Sequence, residues 1–123
     1  MAGNFAAGSN TTTINHLGIP FDVIQDIQVI TGDGAITLLS GGVALTKGSA
    51  AAITIAVPDQ DGQTLWVWTE TAQAHVITQA TVGFNLKGSS GTITFTAAVG
   101  NACLLVARNG NWIVPVKTGV TVA

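Results

Sequence analysis

The sequence predicts an all-β domain: an antiparallel β-sandwich or a jelly-roll-like barrel, with an extended N-terminal arm. Three observations carry that prediction. Beyond Phe21 the apolar residues recur with a period of two rather than 3.6. Gly, Asn, Asp and Pro interrupt them about every 8–12 residues, as turns between short strands do. No stretch carries the spacing of a long amphipathic helix.

Residues 1–31 read as the arm and residues 32–123 as the body. The first twenty are small and polar, centred on Thr11-Thr12-Thr13 and ended by Pro20. Sparse apolar residues among them, Phe5, Ile14, Leu17 and Ile19, suit grooves on a neighbouring subunit. A frayed terminus reads the same way from sequence.

The elements follow in order. In FDVIQDIQVIT, Val23, Ile27 and Val29 share one parity, which fits a strand or a short helix-like turn. Gly32-Asp33-Gly34 makes a turn into a short strand that the pair Gly41-Gly42 ends. Two strands follow, near 43–46 and 51–57, the second stopped by Pro58 and the Asp59-Gln60-Asp61-Gly62 turn. TLWVWTE alternates cleanly, with Leu65, Val67 and Thr69 on one face and Trp66, Trp68 and Glu70 on the other. Ala74 to Thr78 is a further short strand. Residues 79–91 are a loop with Val82 and Phe84 turned inward. GTITFTA sets Ile93 and Phe95 against Thr92, Thr94 and Thr96. NACLLVARNGNWIVPV is a hairpin about Asn109-Gly110, a pair suited to a type I′ turn because both central residues take positive φ. A last strand lies near 120–123.

Charge narrows the function classes. The 123 residues include four basic and six acidic ones, 8% in all, against about 25% in an ordinary soluble domain. Apolar residues make up 47%. Several strands are apolar on both parities: Trp66 and Trp68 oppose Leu65 and Val67, and Leu105 opposes Leu104 and Val106. A lone sandwich wets one face of each sheet. Two apolar faces therefore predict burial against other subunits, as in a dense assembly. The net charge is −2 and Lys47, Lys87, Arg108 and Lys117 form no run, which argues against nucleic acid as a partner. No window holds the ~20 apolar residues that span a bilayer, so no membrane partner is expected. The N-terminus lacks the basic and apolar regions of a signal peptide, which predicts a chain used without classical secretion. The lone Cys103 lies in an apolar run and reads as a small buried hydrophobe.

Candidate chemistry is sparse. His16 and His75 have no ligand-spaced neighbours for zinc. No nucleophile elbow accompanies His75, so it reads as a hydrogen-bonded strand histidine. Asp59-Gln60-Asp61-Gly62 opens like a calcium loop, with Glu70 twelfth. Leu65 and Val67 occupy ligand positions, however, and the flanks are strands, so a hairpin turn is the preferred reading. The remaining acids do not assemble a hydrolytic pair, and no helix follows the glycines to bind phosphate. No cofactor, metal or enzymatic activity is expected. Trp66, Trp68 and Trp112 suit a subunit interface or the core, with a sugar-stacking platform as the alternative.

Residues 41–116 carry an ordered set of pieces. It comprises a Thr- and Ala-rich strand, DGQTL, then TAQAHVIT, then a hairpin ending in NGNW. This set resembles small virion proteins of tailed bacteriophages. The resemblance implies a capsid decoration (cement) protein or a related head or fibre component. Such proteins are β-rich, commonly trimeric, and seated where major capsid proteins meet, often with an N-terminal arm reaching across neighbours. The expectation is a homotrimer on the outer capsid of the virion, assembled in the host cytoplasm, with Phe5, Ile14, Leu17, Ile19, Trp66, Trp68 and Trp112 at its interfaces. The alternative is a fibre or head-fibre module that binds host surface glycan.

Overall fold

A computed structural model describes residues 26–123 of the chain. They form two five-stranded sheets packed face to face, with no helix. Sheet A has the order β1-β3-β5-β8-β9: Ile27–Ile30, Gly41–Leu45, Thr64–Thr69, Ala102–Arg108 and Asn111–Thr118. Sheet B has the order β10-β7-β6-β4-β2: Val120–Val122, Gly91–Phe95, Val76–Gln79, Ala52–Ile55 and Gly34–Ile36. The β-sandwich is therefore present, and open rather than closed into a barrel.

Two expectations are corrected. Ile27–Ile30 pairs with β3, so these residues belong to the body and not to an arm ending at residue 31. The sheets are also mixed rather than antiparallel. From β1 to β6 the chain crosses to the other sheet after every strand. Each return lands beside the previous strand of the same sheet, running the same way. The pairs β1–β3, β3–β5, β2–β4 and β4–β6 are consequently parallel. From β6 onward the pairs β6–β7, β5–β8, β8–β9 and β7–β10 are antiparallel, as expected.

The parallel part is a coil with a repeating register. Val43 lies beside Val67 and Ile53 beside Ile77, 24 positions apart in each case. Polar contacts repeat the same offset. Gln63 Nε2 donates to the Leu39 carbonyl, and Thr71 Oγ1 to that of Lys47. The sequence carries a faint trace of this repeat: Val43/Val67, Ala50/Ala74, Ile53/Ile77, Thr54/Thr78 and Ala56/Ala80 are identical at that spacing. A period of 24 residues spans a whole turn of the coil, so no single-strand window detects it.

The core lies between the sheets. Ile53, Ile77 and Ile93 stand side by side across sheet B and face Val43, Val67 and Cys103 across sheet A. All six are essentially inaccessible to solvent. Burying each branched side chain stabilises the fold by roughly 1.5–3 kcal/mol before entropy is subtracted.

Buried amides shape the loops at the ends. The Gln79 side-chain oxygen accepts the backbone N–H groups of Thr81, Val82 and Gly83 at 2.7–3.0 Å. That turns the chain back into sheet B and lets β7 run antiparallel. Gly83 has φ +67, and a Cβ there would collide with the Ser89 carbonyl oxygen. The following Phe84 is buried, as expected, while Val82 is half-buried. Asn109 and Gly110 both take positive φ, at 50° and 71°, so the β8–β9 turn is the I′ type the sequence predicts. The ladder slips between Leu104 and Val106, and Pro115 sits opposite that irregularity on the edge strand β9, where its missing N–H costs no ladder bond.

Candidate functional site

The unusual surface is the outer face of sheet A. Cross-strand register places Ile27, Gly42, Trp66, Leu104 and Val116 in one outward row. The next row holds Val29, Ala44, Trp68, Ala102 and Thr118. A third holds Thr64, Val106 and Ile113. No charged residue stands in any of the three rows. Ile27, Val29 and Val116 are about half exposed, at 55%, 57% and 48%.

The relief of this face follows from strand order. β5 is the middle strand of sheet A and carries both outward tryptophans, two residues apart. On β3 they are flanked by Gly42 and Ala44, which are buried despite pointing outward, Ala44 at 2% exposure. The indoles on β5 are half-buried beside these small residues, and the aliphatic side chains at the edges of the sheet are more exposed. Trp68 Nε1 donates to Glu70 Oε2 at 2.9 Å, so that indole N–H is satisfied within the chain.

Trp66 and Trp68 thus lie on the outer face of sheet A, half-buried. Trp112 does not join them. It is 3% exposed, sits in the core, and donates its indole N–H to the Ala56 carbonyl at 2.8 Å. Of the interface and the core, the two places the sequence allowed for it, the core is its location, and it leaves the interface set. Phe5, Ile14, Leu17 and Ile19 lie outside the described residues. Sequence reasoning passed over Ile27, Val29, Leu104 and Val116 as one patch with the tryptophans. Parity within each strand was legible, but only register across strands brings them together.

The groups with chemical potential are engaged elsewhere. His75 is fully buried, just ahead of β6. Its Nδ1 accepts the Ala51 N–H at 3.1 Å. Its Nε2 lies 3.0 Å from Thr71 Oγ1, whose own proton goes to the Lys47 carbonyl. The ring is therefore neutral with hydrogen on Nε2, and burial, aided by nearby Lys47, holds its pKa below the ordinary value. Asp61 accepts the Asn109 N–H at 2.7 Å and pairs with Arg108 at 2.6 Å, which pulls its pKa down. The Asp59–Gly62 segment is accordingly a turn stapled to the β8–β9 hairpin. Asp33 pairs with Lys47 at 2.9 Å and accepts the Ala52 N–H, likewise lowering its pKa. Among the described residues no group of three or more His, Cys, Asp or Glu could hold a metal ion. Burial pushes the Cys103 thiol up to about 12.

One open groove, of about 700 Å³, runs over the ends of β2, β4 and β6. Leu38, Leu39, Val57, Pro58 and Ala80 make it apolar, and Asp59 is its only ionisable lining residue.

No protein-family model matches the chain, and no curated protein matches it significantly.

Proposed function

We propose that this chain is a structural virion protein: a homotrimeric capsid decoration, or cement, protein that sits on the outer capsid of a tailed bacteriophage and braces joints between major capsid proteins. The observation that carries the reading is the outer face of sheet A, whose three cross-strand rows hold no charged residue and are partly exposed. A free monomer gains nothing from such a face, whereas a protein present in many copies buries it. The ordered pieces within residues 41–116 that resemble phage virion proteins support a location on the capsid. A shell under pressure from packaged DNA gains from many weak braces acting together, because multivalent binding multiplies modest contacts. An almost uncharged surface is desolvated at little cost when it docks. In this role the chain performs no catalysis.

Mixing the purified protein with expanded capsids and sedimenting them tests this reading. Saturable co-sedimentation, with capsids that then withstand heating better, is expected. Absence from washed particles, with unchanged particle stability, would overturn it.

Trp66 and Trp68, side by side on one outward face, support a second reading as a glycan-binding fibre module. Sugar rings stack on aromatic faces spaced in this way. Glycan-array binding abolished by Trp66→Ala or Trp68→Ala, with the circular dichroism unchanged, would establish it in place of the first.

A further inference from the structure

We infer that the groove over the ends of β2, β4 and β6 is the seat of this chain's own residues 17–24, docked there through their apolar side chains. The inference does not depend on the capsid reading. It starts from two exposed side chains: Leu39 is 58% exposed and Val57 43%, and both line the groove. Gln63 keeps them from collapsing onto the core. Its buried amide donates to the Leu39 carbonyl at 3.0 Å and accepts the Asp59 N–H at 2.6 Å, which fixes both walls. An apolar trough held open in this way marks a surface that another group covers.

Topology puts the start of the described chain at this trough. Each crossing from sheet B to sheet A joins the end of one strand to the start of the next, so β3 and β5 begin where β2 and β4 end. The parallel pairing extends this to β1 and β6. Asp26, just ahead of β1, therefore stands at the groove's end of the sandwich. A second cavity, of about 630 Å³, is lined by Asp26 and Ile27 and shares Thr37, Leu38 and Leu39 with the groove. The two form one trough that leads from Asp26 across sheet B.

The residues just before Asp26 match that trough. Leu17, Ile19, Phe21 and Val23 alternate with Gly18, Pro20 and Asp22. An extended chain turns those four apolar groups to one side and its single charge to the other. The charge then avoids Asp59, the groove's one ionisable residue, which has the same sign. Pro20 disfavours helical geometry at Ile19 and keeps the segment extended. Length suffices. Crossing from one sheet to the other takes about 10 Å, and two strand spacings take about 10 Å more. Residues 17–25 reach about 30 Å when extended. Attachment at Asp26 also gives this segment a higher effective concentration at the groove than a separate molecule has.

The docking is through side chains because the edge of β2 is closed. Gln28 Nε2 donates to the Ala35 carbonyl at 3.1 Å, and its Oε1 accepts the N–H groups of Thr37 and Leu38 at 2.9 and 3.1 Å. This one amide takes the place of a pairing strand, so an added strand finds those backbone groups already engaged. In the docked arrangement Leu17 and Ile19 face the chain's own body. Of the N-terminal apolar residues expected at interfaces with neighbours, Phe5 and Ile14 remain for that task.

Chymotrypsin digestion of the full chain, followed by mass spectrometry, tests the docking, with Phe5 as the internal reference. Cleavage after Leu17 and Phe21 should be slower than after Phe5 by about tenfold or more, since proteolysis follows the population of the undocked form. The protection should be the same at every protein concentration. Phe21→Ser, which lies outside the body, should raise cleavage after Leu17 by about tenfold and leave cleavage after Phe5 unchanged. Val57→Asp should do the same from the groove side, with the circular dichroism unchanged. Cleavage after Leu17 as fast as after Phe5 in the wild type, or no response to Phe21→Ser, would overturn the docking. Protection that fades on dilution would place the segment on a second copy and overturn it equally.

Discussion

Across β4, β6 and β7 one outward row reads Thr54, Thr78, Thr92; across β3, β5 and β8 another reads Ala44, Trp68, Ala102. The two sheets share strand number, alternation and a buried inner face of Ile, Val and Leu, so the inner residues do not distinguish them. Only the outward parity differs. On sheet B it carries hydroxyls that water satisfies, while β-branching keeps the strand conformation favourable. On sheet A it carries indoles and aliphatic groups that water does not satisfy. The difference shows that folding alone accounts for one parity of each strand. The second parity records what the folded body meets.

The sharpest test of that division is on the shared inner side. Leu65→Ala in sheet A and Ile77→Ala in sheet B should each lower unfolding free energy by about 2–5 kcal/mol in denaturant titrations. A large inequality between them would break the claim that the inner faces are equivalent. The seam where the chain crosses between sheets comes next. His75 is held neutral there, with a folded pKa below its ordinary 6.5. The unfolded chain therefore binds the proton more readily. Stability from this group is complete above about pH 6.5 and declines as pH falls toward the depressed folded value. Denaturation midpoints should drop between pH 7 and pH 5, and His75→Gln should flatten that part of the slope.

Smaller effects probe the outer faces. Thr54→Val and Thr78→Val should change stability by no more than about 0.5 kcal/mol each, since Thr54 is exposed and Thr78 only half-buried on the outer face. Together they give sheet B an apolar strip and should lower solubility, measured as the concentration at which scattering rises. Unchanged solubility would weaken the contrast between the faces. The smallest expected effect is on Cys103, inward on β8 with its thiol pushed up to about 12. A thiol reagent at pH 8 should leave it unlabelled until denaturant is added.

Much of the body was legible in strand periodicity. TLWVWT and GTITF alternate as written, and Asn109-Gly110 forms the turn its residue types demand. The parallel half was not legible. Ala52–Ile55 and Val76–Gln79 look like any short half-buried strands, and nothing local says that the neighbour of each lies 24 residues away. The candidate face was half legible. The outward parity of Trp66 and Trp68 was evident, but Val29 and Val116 join them only through register. Trp112 shows the limit in the other direction: an aromatic near a hairpin reads as surface or core until Ala56 is found beneath its indole.

By itself the sequence determined an all-β body, because alternation with a period of two is a local consequence of the pleat. It also determined that the body carries apolar residues on both parities and almost no charge. Only the tertiary structure decided that the excess apolar parity gathers on one sheet, with tryptophan along its middle strand. Strand order is set by contacts between residues far apart in the chain, and no local preference encodes which strand lies beside which.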